Sequence, residues 1–153
     1  MSVQACYARV SSPFGASGDM WQTGHGGTDY VAGPGTYVYA YSSGEIQYTG
    51  ESGWGGGLVG MSLDGGDYAG WAHIDPIWVT PGQRVVQGTV IGLVAGHGQK
   101  HGTQWTGPHI HTTRSRISAV AAATGARPLI DPAPGIAAAL TQGEDEMSAK
   151  AEE

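Results

Sequence analysis

The sequence predicts a single all-β domain, and three features of its composition support this class. Glycine accounts for 27 of the 153 residues and lies between short runs of Val, Ile and Tyr, which is typical of strands joined by tight turns. Charged residues make up only 13% of the chain, while seven tyrosines and five tryptophans supply apolar bulk for a core. The length suits one domain. We therefore place the domain at residues 1–140 and an acidic tail or linker at 141–153.

The first predicted strands form two hairpins. Residues 36–41 alternate tyrosine with smaller apolar residues, and residues 45–50 return after Ser-Ser-Gly, so these two segments are expected to pair. Residues 57–63 and 68–74 flank the sequence Asp-Gly-Gly-Asp, whose composition suits a turn with positive φ. This second hairpin brings His73 near its far end.

A further pair of strand-like segments and a long polar loop follow. Residues 84–96 are broken at Gln87-Gly88 by turn chemistry. The loop at 95–107 carries His97 and His101, and long irregular loops in compact domains are often functional. Solvated loop histidines are the simpler interpretation of these two residues.

The last predicted strand carries two more histidines. Residues 109–115 are β-branched and alternating, so His109 and His111 should share one face of a strand while Ile110 lies on the other. Both imidazoles can then reach one site. Two short Ala-rich helices are predicted beyond this strand, at 119–126 and 135–142, with a proline-rich link between them.

Composition also excludes several classes of protein. The lone Cys6 has no partner for an internal disulfide or a cysteine-based zinc site, so any metal must use histidine and carboxylate. A formal charge of -6 with seven dispersed Lys and Arg residues argues against nucleic acid as a partner. No segment has the roughly 18 apolar residues of a membrane span, and the N-terminus lacks signal-peptide features. We expect a monomer made in the cytoplasm.

His25 and Asp29 form a second candidate cluster with His111. A fully extended chain would separate the α-carbons of His25 and Asp29 by about 13 Å, too far for two short side chains to share one ion. The adjacent Gly26 and Gly27 permit the required bend. Two histidines and one carboxylate, with water in the fourth position, are typical of a catalytic zinc site. Two further histidines, His73 and His109, then remain to take a proton and to stabilise an oxyanion.

These motifs resemble the lysostaphin-like zinc endopeptidases of bacterial cell walls, which pair H-x-G-x-D with a later H-x-H. The resemblance extends from Val-Ser-Ser-Pro-Phe-Gly at 10–15 to Gly-Pro-His-Ile-His at 107–111, in the family's order. It implies a small antiparallel β-sandwich-like sheet with an open groove over one Zn²⁺ ion. The implied ligands are His25, Asp29 and His111, and the implied catalytic pair is His109 and His73.

The resemblance also has departures. The family often follows H-x-H with an aromatic and an acidic residue, whereas this chain has Thr112, Thr113 and Arg114. Trp54, Trp71 and Trp105 are candidates for groove walls. An ordinary hydrogen-bonding histidine at a strand end is the alternative interpretation of His73.

The resemblance implies hydrolysis of peptide bonds in peptidoglycan, in either a cross-bridge or a stem peptide. In the expected mechanism His109 accepts a proton from water and His73 donates a hydrogen bond to the oxyanion, although the two roles can be exchanged. Activity should fall below about pH 6.5, where histidine becomes protonated. Without a signal peptide, a bacteriophage lysin released through holin pores or mounted on the virion is expected. The alternatives are a catalytically silent wall-binding or hydrolase-activating relative and a structural phage component.

Overall fold

A computed structural model describes residues 6–16, 24–96 and 109–152, and beyond residue 142 it describes the backbone alone. This part of the chain forms two antiparallel sheets and two helices, as the prediction of a small β-sandwich-like domain requires. The strands, in chain order, are β1 Val10–Ser12, β2 Thr28–Val31, β3 Tyr37–Tyr39, β4 Gly44–Ser52, β5 Gly56–Leu63, β6 Tyr68–Ala72, β7 Ile74–Ile77, β8 Arg84–Val85, β9 Val90–Val94 and β10 His109–Ser115. The helices are α1 Ala119–Thr124 and α2 Ala133–Glu152.

The larger sheet has the strand order β1-β2-β10-β6-β5-β4-β8, and the smaller has the order β3-β9-β7. Strand β10 therefore lies between β2, from the start of the domain, and β6, from its middle. Its register places His111 opposite Asp29 on one side and opposite Ala72 on the other. Because Ala72 directly precedes His73, this one strand brings together three distant parts of the sequence.

The predicted hairpin around residues 64–67 is confirmed. Strands β5 and β6 pair with Ser62 opposite Tyr68, and the turn contains Gly66 at φ 107° and Asp67 at φ 66°. The backbone N–H of Leu63 donates to the carbonyl of Asp67 at 3.1 Å, which closes the turn. Glycine and aspartate at these two positions tolerate the left-handed conformation that the turn needs.

The predicted hairpin between residues 36–41 and 45–50 is wrong. Strand β3 pairs with β9 in the smaller sheet, whereas β4 pairs with β5 and β8 in the larger one. The physical reason is burial at the crossing point: Ala40 and Tyr41 are buried in the core between the sheets, so the chain passes from one sheet to the other there instead of folding back.

An aromatic cluster fills the core. Trp71 is fully buried and its Nε1 donates to the Tyr7 hydroxyl at 2.9 Å, while Tyr7 meets Tyr41 edge-on at 5.7 Å between ring centroids. Trp71 is therefore not a groove wall, contrary to expectation, because its ring faces inward from β6. Cys6 is buried against the same cluster, and this burial raises the pKa of its thiol to about 11.

Both predicted Ala-rich helices are present, but the second is longer than expected. Helix α1 begins at its N-cap Ser118, whose side chain accepts the Ala121 N–H, and ends at Gly125 with φ 73°. Helix α2 continues to Glu152, because Ala, Glu, Met and Lys in its second half are strong helix formers. The described helices include none whose length and apolar character would let it cross a membrane.

Candidate metal centre

The centre begins with a cross-strand pair. Asp29 on β2 and His111 on β10 are directly opposite, and their side chains point to the same face of the sheet. The distance between His111 Nδ1 and Asp29 Oδ1 is 2.7 Å. Both residues are buried, at 6% and 8% exposure, so the pair is held in a fixed geometry away from bulk water.

The loop 24–27 brings the third side chain, His25, to this pair. A Cβ atom on Gly27 would lie 2.1 Å from the Thr112 carbonyl oxygen and 2.7 Å from the His111 ring, so only glycine allows the loop to approach β10 this closely. The resulting bend places His25 Nε2 3.5 Å from Asp29 Oδ1 and 3.3 Å from His111 Nδ1. The predicted bend between His25 and Asp29 is confirmed.

A backbone carbonyl fixes the tautomer of His25. Its Nδ1 lies 3.3 Å from the carbonyl oxygen of Pro13, and a carbonyl oxygen can only accept a hydrogen bond. When neutral, the ring therefore carries its proton on Nδ1 and its lone pair on Nε2, the atom that faces Asp29 and His111. A histidine that binds a metal is commonly oriented through its other nitrogen in this way.

The spacing of these three ligand atoms fits zinc. Ligands about 2.0 Å from a tetrahedral zinc ion are separated from one another by roughly 3.3 Å. The three separations here are 2.7, 3.3 and 3.5 Å. Among the described residues, the buried side chains of His25, Asp29 and His111 lie close enough together to hold one metal ion. Two imidazoles and a carboxylate match the donor set expected of catalytic zinc.

Electrostatics favour the protonation states that bind a cation. Burial lowers the pKa of His25, and the neighbouring His111 and His109 lower it further, so its ring remains neutral. Burial raises the pKa of Asp29, but the hydrogen bond from His111 and the charges of the surrounding imidazoles outweigh burial, and the net pKa is lowered. The site thus presents a carboxylate and a neutral His25 ring.

His73 lies beside the metal centre, where the chain leaves β6 and enters β7. Its φ of 66° is in the left-handed region, which few non-glycine residues adopt. The carbonyl oxygen of Gly55 accepts both the His73 backbone N–H, at 2.7 Å, and its ring Nδ1, at 3.0 Å. Burial, followed by the charges of His109 and His111, lowers the pKa of His73 to about 3.

His109 completes the histidine cluster on the more open side. Its Nε2 lies 3.6 Å from Asp29 Oδ2, and its ring meets the His73 ring edge-on at 4.6 Å between centroids. Ile110, between the two histidines of β10, is fully buried in the core, so His109 and His111 do share one face as predicted. All five predicted site residues therefore lie together.

Two neighbouring residues, Trp54 and Gly55, border the histidine cluster. Trp54, on the turn between β4 and β5, is 45% exposed, and its ring lies 5.6 Å from that of His111 and 6.4 Å from that of His73. It is therefore positioned as a groove wall, as predicted. The sequence did not predict a role for Gly55, because it holds His73 through its backbone carbonyl, a group that every residue type has. His97, His101 and Trp105 lie outside the described residues.

The chain matches a known family over most of the domain. Residues 23–122 match the model described as peptidase family M23. The peptidoglycan DD-endopeptidase ShyC of Vibrio cholerae serotype O1 is 33% identical over 109 residues, which are 69% of this chain and 24% of that protein. The chain thus spans about a quarter of the length of this curated relative.

Solved structures give the same fold. The catalytic domain of the antimicrobial peptidase lysostaphin from Staphylococcus simulans aligns with a TM-score of 0.70 at 27% identity, covering 88% of this chain and 97% of that one. The structure of LytU aligns with a TM-score of 0.66 at 25% identity, covering 82% of each chain. The fold expected from the sequence motifs is confirmed.

Proposed function

Because the chain belongs to peptidase family M23, we propose that it is a zinc-dependent endopeptidase that hydrolyses peptide bonds of bacterial peptidoglycan. The observation that carries this proposal is the convergence of His25, Asp29 and His111 beside two further histidines. The peptidoglycan activity named for the Vibrio cholerae relative supports the choice of substrate. The bond that is cut lies in a cross-bridge or a stem peptide.

His25 Nε2, His111 Nδ1 and an oxygen of Asp29 would hold the zinc ion. When bound, zinc supplies Lewis acidity, which polarises a carbonyl oxygen and makes water nucleophilic near neutral pH. The chain itself contributes a cluster with fixed geometry, because every ligand is buried and His25 is hydrogen-bonded through its second nitrogen.

The hydrogen bonds favour the exchanged assignment of the two catalytic histidines. His73 donates from Nδ1 to the Gly55 carbonyl, so in its neutral form the lone pair is on Nε2 and this nitrogen accepts a proton. This tautomer has no proton on Nε2, so a neutral His73 cannot donate from that nitrogen to an oxyanion. We therefore assign proton acceptance from water to His73 and hydrogen-bond donation to the oxyanion to the more open His109.

Mass analysis of fragments released from purified cell walls tests the function and names the bond that is cut. The zinc-loaded protein should release peptide fragments with new termini at one type of bond. The His109→Ala variant should retain stoichiometric zinc and lose at least about a hundredfold in turnover, since it removes a group acting on the reacting atoms. Loss of zinc in this variant would mean that the ligands are misassigned.

The same experiment separates the alternative functions. A wild-type protein that binds zinc and walls but releases no fragments would be a silent wall-binding or hydrolase-activating relative. Absence of both zinc and cleavage would indicate a structural component.

Delivery by a bacteriophage is a separate proposal, tested by searching for the chain in purified virions. The monomeric state is a further prediction, which light scattering of the purified protein checks.

A further inference from the structure

Residues 127–131 follow helix α1 and lie against the part of the chain that carries His25 and Asp29. This short segment, here called the brace, is outside residues 23–122, which match the family model. It is separated from the residues it contacts by about a hundred positions of sequence. No feature of the H-x-G-x-D or H-x-H motifs requires such a contact.

The brace touches the ligand-bearing segment at three successive points. Arg127 Nη2 donates to the Gly24 carbonyl at 2.6 Å. Leu129 Cδ1 lies 3.0 Å from the position that a Cβ atom on Gly26 would take. The Thr28 hydroxyl donates to Asp131 Oδ1 at 3.2 Å.

These contacts enclose both ligands contributed by the segment. Gly24 and Gly26 flank His25 on either side, and Thr28 directly precedes Asp29. The contacts made by residues 127, 129 and 131 follow those of residues 24, 26 and 28 in the same order along the chain. A displacement of the brace would therefore move His25 and Asp29 together relative to His111.

The brace is itself attached to the rigid part of the fold. The Ile130 N–H donates to the Arg114 carbonyl of β10 at 3.0 Å, and the two residues form a bridge. Because β2 begins at Thr28, opposite Thr112, Ile130 takes the next hydrogen-bonding place along β10. Asp131 Oδ1 also accepts the Ala133 N–H at 3.0 Å, where helix α2 begins.

We propose that Arg127, Leu129 and Asp131 are positioning residues of the metal centre, which set the distance of His25 and Asp29 from His111. The loop 24–27 contains three glycines that give it conformational freedom, and the contacts with the brace restrict that freedom. Partners in the outer shell of metal sites act in this way by orienting the ligands. This inference rests on the zinc site of the proposed function.

Zinc affinity of the full chain, measured by competition with a chromogenic chelator, tests the proposal. Arg127→Ala and Asp131→Ala should each weaken zinc binding by about tenfold, the lower end of the range for outer-shell partners. Arg127→Lys, which retains a donor for the Gly24 carbonyl, should recover most of the affinity. Arg116→Ala, which removes an exposed arginine that precedes α1, is the matched control and should bind within about twofold of wild type.

A second measurement distinguishes positioning from general stability. Cobalt-loaded Arg127→Ala should show a visible spectrum altered from that of wild type, because the ligand geometry has changed, while its metal-free form unfolds at nearly the wild-type urea concentration. Wild-type affinity and spectrum in both alanine variants would overturn the brace. The proposal would also be overturned if Arg127→Ala weakened zinc binding only as far as it destabilised the metal-free protein, and Arg127→Lys did not restore the affinity. A wild-type protein that binds no zinc would instead overturn the proposed function.

Discussion

His73 has an unusual conformation at the position for which we propose a catalytic role. Its backbone is in the left-handed region at φ 66°, and its ring and its backbone N–H share one acceptor, the Gly55 carbonyl. Such strain persists only where surrounding contacts determine the conformation, and it is concentrated at functional sites. The left-handed backbone and the contact with the His109 ring support the catalytic role that we propose for His73, whereas the hydrogen bond to Gly55 alone would also suit the alternative interpretation.

The buried His73 should make the metal-free protein sensitive to acid. Its pKa is lowered from an ordinary value of 6.5 to about 3, so the unfolded chain binds a proton in this range and the folded chain does not. Stability is therefore fully present above pH 6.5 and is lost as the pH falls toward 3, by about 1.4 kcal/mol per pH unit from this residue. Urea unfolding of the metal-free protein between pH 7.5 and 4.5 measures the slope.

His73→Asn is the matched variant for that experiment. Asparagine tolerates positive φ and its amide can still donate to the Gly55 carbonyl, but it does not titrate. The difference in unfolding free energy between wild type and variant should therefore change with pH below 6.5 by the stated slope. Parallel pH dependences would show that His73 is freely protonated in the folded state. The pKa values of His25 and His73 are lowered, so these two rings stay neutral at pH values below 6.5. The loss of activity in acid should therefore begin at a lower pH than the ordinary histidine pKa predicts.

At the scale of single residues, the candidate site was largely predictable because its chemistry resides in side chains. Histidine and aspartate in H-x-G-x-D and H-x-H identify themselves by type and spacing, and all five lie together. The Gly55 carbonyl and the brace residue Arg127 could not be found in this way. One is a backbone group, and the other acts through a contact with Gly24 that is 103 positions away in sequence.

At the scale of elements, local signals were reliable where the chain turns back on itself. The turn at 64–67 was predictable because its residues tolerate the positive φ that a tight turn between β5 and β6 needs. The segment Ser-Ser-Gly at 42–44 has similar composition but lies where the chain crosses between sheets. Only the burial of Ala40 and Tyr41 between those sheets distinguishes the two cases, and burial depends on the assembled fold.

The loop 24–27 is the element on which the metal centre depends most directly, and Gly27→Ala tests this. The added methyl group would lie 2.1 Å from the Thr112 carbonyl, a backbone atom in the middle of the sheet that cannot move easily. We expect destabilisation of about 1–3 kcal/mol from overpacking. Zinc binding should weaken by at least about tenfold, because His25 is pushed away from His111. Thermal unfolding and chelator competition measure the two effects.

Gly33→Ala provides the control for that substitution. Its added Cβ would have only an ordinary contact, 3.9 Å from the Thr36 hydroxyl, in the loop after β2. This variant should keep wild-type zinc affinity and change stability by less than about 0.5 kcal/mol. If Gly27→Ala behaved like Gly33→Ala, close approach of the loop to β10 would not be what forms the site.

At the scale of the whole molecule, the metal centre joins the two ends of the domain. Asp29 belongs to the second strand in the chain, His25 to the loop that precedes it and His111 to the last strand. They meet only because β2 and β10 are neighbours in the larger sheet. Sequence motifs reveal that such residues exist, but sheet order determines that they converge. Zinc bound here would connect two segments that are far apart in sequence, so binding should be coupled to folding of the domain as a whole.

This coupling predicts a large effect of zinc on thermal stability. A ligand that binds only the folded state at about a hundred times its dissociation constant stabilises that state by about 2.7 kcal/mol. For a chain of this size each kcal/mol raises the melting temperature by roughly 2–4 °C, so free zinc should raise it by roughly 5–10 °C and a chelator should reverse the rise. Calorimetry with magnesium in place of zinc controls for ionic strength.

The His111→Ala variant retains His25 and Asp29 but lacks the ligand from the distant strand, so its melting temperature should no longer respond to zinc. An undiminished response in that variant would mean that zinc binds within the first segment alone and does not join the two ends of the domain.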